Sequence, residues 1–144
     1  MPEIVHVSPP GVFRRMIDGR PLYSTLTVIK SAEGARLILA GQVSAREDGQ
    51  VVGKGDMTAQ IRQVCENIGR ALRHAGADFK DLVRTVTYTV DVPEYFRCAG
   101  VRAEYFGSPP PPSTLLGVTR LADPDFLVEI EGEAVIPLGR LRNA

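Results

Sequence analysis

The stretch Phe126–Ile136, FLVEIEGEAVI, alternates residue by residue between two chemistries. Phe126, Val128, Ile130, Gly132, Ala134 and Ile136 fall on one side of an extended chain; Leu127, Glu129, Glu131, Glu133 and Val135 fall on the other. Successive strand side chains point to opposite faces, so this period of two predicts a strand with an apolar row turned to a core and three carboxylates on the far face. The residues just upstream belong to the same unit. Pro109–Pro112 form a stiff run, Ser113–Val118 (STLLGV) a hydroxyl and aliphatic segment, and Ala122–Asp125 a short loop.

Working outward, Leu82–Val90 (LVRTVTYTV) reads as a strand. Its Val86, Tyr88 and Val90 are expected to face a helix-covered core, and Thr85, Thr87 and Thr89 a half-polar surface shared with the glutamates. Tyr23–Ile29 and Arg36–Ala40 read as two further strands joined by a hairpin over Lys30–Ala35. Gly41, directly after them, marks close approach of the backbone to a neighbour. Asp56 is placed to cap a helix running to about Ala75, with Ile61, Cys65, Ile68, Leu72 and Ala75 as its buried stripe. Gly69 lies on that stripe and predicts contact with the sheet; Arg62–Glu66 and Glu66–Arg70 are i,i+4 pairs on the wet side. Asp91 and Glu94 suggest a capping box for a second helix to about Phe106, burying Phe96, Ala99, Gly100 and Ala103. Residues 1–22 offer only turn signals, and Arg14 and Arg15 read as solvated loop residues within reach of a neighbouring site.

The resulting order, β-β-α-β-α-β-β, predicts one α+β domain over residues 1–144, with two helices covering a single face of the sheet. The uncovered face has to meet water or another chain, and an oligomer is expected. With 17 basic and 17 acidic residues the net charge is zero, which argues against a nucleic-acid partner: such proteins carry a basic excess. No apolar stretch is long enough to span a membrane, no basic-then-apolar leader opens the chain, and Cys65 and Cys98 stand without CxxC spacing. A reduced, cytoplasmic protein is expected, with no metal and no cofactor. His74 reads as a surface residue in the last helical turn. Three glutamates at every second residue are weak grounds for a Ca²⁺ or Mg²⁺ site.

Four segments taken together resemble one family: AGQVS (40–44), DMTAQIRQVCENIGRALRHAGAD (56–78), VRTVTYTVDVPEYF with AEYFG (83–107), and STLLGV with LVEIEGEAV (113–135). They are similar to the RidA/YjgF family of reactive intermediate deaminases. The resemblance spans almost everything from Tyr23 to Ile136. It implies the chorismate-mutase-like (YjgF) fold, a homotrimer with inward-facing sheets, and small-metabolite clefts between subunits. It also implies hydrolysis of enamines and imines such as 2-aminoacrylate to keto acids and ammonia.

Carried over residue by residue, the resemblance makes Glu129 the acid that positions the attacking water, Tyr23 a cleft tyrosine, and Gly41 a backbone lining of the cleft. The family's carboxylate-gripping arginine has no counterpart: Ser113 stands in its place, or Pro112 if the prolines anchor the alignment. Leu115 falls where some members have cysteine and Ala99 where many have asparagine. An arginine gives a carboxylate charge-assisted hydrogen bonds of about 1.5–3 kcal/mol each, a serine hydroxyl about 0.5–1.5. The expectation is therefore a poor 2-aminoacrylate deaminase with a neutral or cationic ligand held between Tyr23, Gly41, Ser113, Leu115 and Glu129. A non-catalytic metabolite-binding or interaction trimer is the alternative, and an endoribonuclease a remoter one.

Overall fold

The computed structural model describes residues 1–144. The chain runs β1 (Glu3–Val7), β2 (Met16–Ile17), β3 (Arg20–Pro21), β4 (Leu26–Ser31), β5 (Gly34–Val43), α1 (Met57–His74), β6 (Leu82–Thr89), α2 (Val92–Cys98), β7 (Ser113–Gly117) and β8 (Val128–Ile136). Six strands form one sheet in the order β1-β4-β5-β8-β6-β7, and β2–β3 is a separate two-stranded ribbon. Only β6–β7 is parallel, so the sheet is mixed. The strand drawn from the alternating stretch, β8, lies near its centre between β5 and β6. Val128, Ile130, Gly132, Ala134 and Ile136 are buried, and the three intervening glutamates are half-buried on the other face.

Helix α1 covers the apolar face. Asp56 caps it by accepting the Ala59 N–H at 2.9 Å, and Ile61, Cys65, Ile68, Leu72 and Ala75 are all buried against Leu26, Val28, Leu37 and Leu39 from β4 and β5. The stripe at helical spacing is thus the main seam of the core. No helix is long and apolar enough to cross a membrane.

Several expectations change in three dimensions. The threonines of β6 are under the helices, not on the open face. Register decides this: Thr85, Thr87 and Thr89 pair with Gly132, Ile130 and Val128 of the buried row, which leaves Arg84, Val86 and Tyr88 beside the glutamates. Two of the hydroxyls find partners: Thr87 Oγ1 accepts from Arg102 Nη1 at 2.9 Å, and Thr89 donates to the Leu127 carbonyl at 2.8 Å. Gly69 faces Phe79 and Arg73 instead of the sheet; a Cβ there would lie 3.0 Å from the Phe79 ring. The paired charges on α1 turn outward to other elements. Arg62 binds Glu104, Glu66 accepts from Tyr105, and Arg70 donates to the Gly11 carbonyl.

The second helix stops at Cys98 and tightens into a 3-10 turn over Ala99–Glu104. Tyr95, Val101 and Phe106 are buried while Phe96 is exposed, so the buried side is not the expected row of Phe96, Ala99, Gly100 and Ala103. Asp91 accepts from the Glu94 N–H, but Glu94 pairs with Arg97, so the cap is one-sided. The strands of the first hairpin differ from the expectation: β4 starts later, at Leu26, with Tyr23 in a bend before it, and β5 is longer, running from Gly34 through Gly41 to Val43.

Candidate functional site

A bulge builds the centre of the site. On β5, Leu39 pairs with Gly132 and Gln42 with Ile130 of β8, so both Ala40 and Gly41 stand opposite Glu131. One extra residue bends the strand and re-aims its backbone. Gly41 then lies directly beneath the carboxylate of Glu129. A Cβ on residue 41 would sit 2.8 Å from Glu129 Cδ and 3.0 Å from its Cγ, closer than side-chain carbons approach. The glycine is needed for the acid to lie where it does.

The carboxylate projects into a cleft of about 300 Å³ lined by Phe13, Arg15, Leu22, Tyr23, Ala40, Gly41, Val43, Ala122, Phe126 and Glu129. Most of this lining is apolar. Burial raises the Glu129 carboxyl above the ordinary range, with repulsion from Glu131 adding to it, and no hydrogen bond from the chain holds it down. Its neighbours are committed elsewhere. Glu131 accepts from the Tyr88 hydroxyl, and Glu133 is bound by Arg36 at 3.0 Å with Arg84 3.6 Å away. Of the three carboxylates in the row, Glu129 alone is free to act on a ligand. They do not converge either: no group of three or more His, Cys, Asp or Glu residues could hold a metal ion.

Tyr23 borders the same cleft. Its hydroxyl accepts the Arg15 backbone N–H at 3.2 Å, which leaves the phenolic proton available to a ligand. The loop wall opposite is tied down by Gln60, fully buried on α1. Its Nε2 donates to the carbonyls of Gly53 (3.1 Å) and Asp125 (2.8 Å), and its Oε1 accepts from Leu127 N–H (2.9 Å).

A single chain brings together Tyr23, Gly41 and Glu129 but not Ser113 or Leu115. Those two lie on β7 at the edge of the sheet, one strand beyond β6, paired with Thr85 and Thr87 on the helix side. Ser113 is exposed and Leu115 packs against the core. Sequence reasoning missed the walls Phe13 and Leu22, since residues in a non-periodic loop give no facing signal, and it placed Phe126 only on the core row of a strand that begins two residues later, at Val128. Arg15, expected as a solvated loop residue within reach of a neighbouring site, is among the residues lining the cleft.

Residues 19–136 match the family model described as Endoribonuclease L-PSP. A RutC family protein, PH0854 of Pyrococcus horikoshii, is 37% identical over 101 residues, covering 70% of this chain and 79% of that protein. The chain belongs to the RidA/YjgF family. Among other RidA/YjgF relatives, the 3-aminoacrylate deaminase RutC of Acinetobacter baylyi is 34% identical over 96 residues, 67% of this chain and 75% of that protein. YjgH of Escherichia coli is 34% identical over 99 residues (67% of this chain, 74% of that protein). A solved structure of protein YJGH superposes with a TM-score of 0.75 at 33% identity, covering 94% of this chain and 98% of that one. Phe13 and Arg15 lie before the first residue of the RidA/YjgF family match, whereas Tyr23, Gly41 and Glu129 lie within it.

Proposed function

We propose that this RidA/YjgF protein hydrolyses small imines or enamines to a carbonyl product and ammonia, with Glu129 as its general base. The observation that carries this reading is the unpaired, half-buried Glu129 carboxylate lying over Gly41 in an apolar cleft. An acid raised above the ordinary range is a stronger base once ionised, and its proton transfer works closer to neutral pH. In the proposed step a water attacks the imine carbon while Glu129 takes its proton and passes it to the imine nitrogen, giving a neutral amino alcohol. Glu129 then takes the hydroxyl proton and delivers it to the amine as the C–N bond breaks, so that C=O re-forms and ammonia departs. The Tyr23 hydroxyl donates to the ligand and orients it. The name of the Acinetobacter baylyi relative, a 3-aminoacrylate deaminase, supports this class of reaction.

The same reading includes a homotrimer. On the helix-free side of the sheet, Ile38, Val135 and Leu116 are exposed at 37%, 49% and 46%. Burying such a face against further copies of the chain would remove them from water. The two unpaired cysteines suit a reducing compartment such as the cytoplasm.

Purified protein is assayed for ammonia release from a panel of imines generated in situ, against spontaneous hydrolysis. Turnover that falls about a hundredfold or more in Glu129→Gln supports the reading. No turnover of any imine by a correctly assembled oligomer refutes it, and a metabolite-binding trimer then takes its place. Ultracentrifugation tests the trimer separately.

A further inference from the structure

We propose that Arg15, in the arm preceding the family-matched region, is the anion anchor of the cleft. It would hold the carboxylate of an imino or enamino acid while the reacting carbon faces Glu129. The inference rests on the deaminase reading but concerns a residue and a ligand group which that reading leaves open.

The arm is a folded element. Met16–Ile17 pairs with Arg20–Pro21, and Asp18 and Gly19, with φ of 50° and 75°, close the turn in the left-handed conformations a two-residue hairpin requires. The hairpin brings Arg15 back against the residues that precede β4. Its carbonyl accepts the Leu22 N–H at 3.0 Å and its N–H donates to the Tyr23 hydroxyl at 3.2 Å. Two backbone bonds therefore fix where the side chain starts, beside the cleft's own tyrosine.

The guanidinium has no hydrogen-bond or ion-pair partner within the chain, and lies over the Phe13 ring, 5.5 Å from its centre. An adjoining hollow contains Glu47, Asp48 and Asp123, yet Arg15 forms an ion pair with none of them. One cleft is thus lined by a cation and an acid that have no ion-pair partner, together with the apolar Leu22, Val43 and Phe126. A ligand carboxylate is repelled by Glu129 and gains two charge-assisted bonds from a guanidinium fork. That fixes one orientation: carboxylate toward Arg15, imine carbon toward Glu129, side chain on the apolar residues. The apolar walls favour imino acids with aliphatic or aromatic side chains over 2-aminoacrylate, which has none to bury.

The test uses the full chain and 2-imino-4-methylpentanoate, formed in situ from leucine by an amino-acid oxidase. Arg15→Ala is expected to raise KM tenfold or more with kcat within a few-fold, and Arg15→Lys to recover part of the loss. Arg15→Glu is expected to lose more than Arg15→Ala. A second readout needs no turnover: calorimetric titration with the product acid, 4-methyl-2-oxopentanoate, and with its amide. Wild type should bind the acid at least tenfold more tightly than the amide, and Arg15→Ala should bind both alike. Unchanged KM and unchanged discrimination in a folded Arg15→Ala protein overturn the proposal. So does a loss that merely follows a lowered unfolding temperature, which would make Arg15 a structural partner of the nearby acids. Wild type that binds the acid through Arg15 without hydrolysing any imine refutes the deaminase reading and leaves the anchor standing.

Discussion

Adding one methyl group at Gly41 tests whether the bulge exists to seat the acid. The new Cβ would lie 2.8 Å from Glu129 Cδ, where ordinary contacts begin at 3.4 Å. The carboxyl carbon must therefore retreat by roughly half an ångström, and its oxygen further. Gly41 has no left-handed φ, so the backbone itself accepts alanine. The stability cost is then that of forcing Glu129 off its rotamer, about 0.5–1.5 kcal/mol. The catalytic cost is larger, because displacing a reacting group by about 1 Å lowers rates on the order of a hundredfold. Imine turnover and urea unfolding of Gly41→Ala should show that separation. The decisive control is the double mutant. In a Glu129→Ala background the clash is gone, and Gly41→Ala should be neutral or stabilising by a few tenths of a kcal/mol, about what reduced unfolded-chain entropy supplies. Wild-type turnover in Gly41→Ala, or equal destabilisation in both backgrounds, would refute the account.

Other outcomes follow from the same geometry. Glu129 has its pKa raised by burial and by Glu131, so the folded state holds that proton more tightly than the unfolded chain. Stability falls as pH rises through the window between the unfolded and folded values. Glu129→Gln should accordingly raise the unfolding temperature at pH 8 and have little effect below about pH 4, near the unperturbed glutamate value; thermal scans at both pH values check it. For the same reason kcat/KM should climb along an acid limb whose midpoint lies above about 4.3. Gln60→Ala strands three part-buried backbone groups, at Gly53, Asp125 and Leu127. It should destabilise the fold by about 3 kcal/mol or more in chemical denaturation and raise KM by loosening the Ala122–Phe126 wall. The Cys65 thiol, fully buried, is pushed up to about 12 by desolvation. A thiol reagent at pH 8 should therefore label only Cys98 in the native protein and reach Cys65 on unfolding.

Local periodicity carried much of this molecule. The two-residue alternation of 126–136 and the helical stripe from Ile61 to Ala75 each describe one element's two sides, and burial alone separates those sides. Asp56 marks where α1 begins because capping is a property of a few adjacent residues. Gly41 also signalled a close approach, although the residue approaching it lies 88 positions away, as Glu129.

What stayed hidden depends on pairings between distant segments. The face taken by the β6 threonines follows from their register against β8; Val86 and Tyr88 looked equally suited to the core, and no rule local to the strand separates the two rows. The second helix buries Tyr95 and exposes Phe96, and the 3-10 turn after Cys98 breaks any 3.6-residue stripe drawn on to Phe106. Arg15 is the clearest case. Nothing in VFRRMIDGRPLY has a period, so the sequence alone determined that a turn and a cationic loop lie there. Only the folded chain, by bonding Arg15 to Leu22 and Tyr23, decided that one of those cations lines the same cleft as the acid on β8. Periodicity reports which side of an element avoids water, whereas a binding site is assembled from segments whose separation along the chain carries no information about their distance in space.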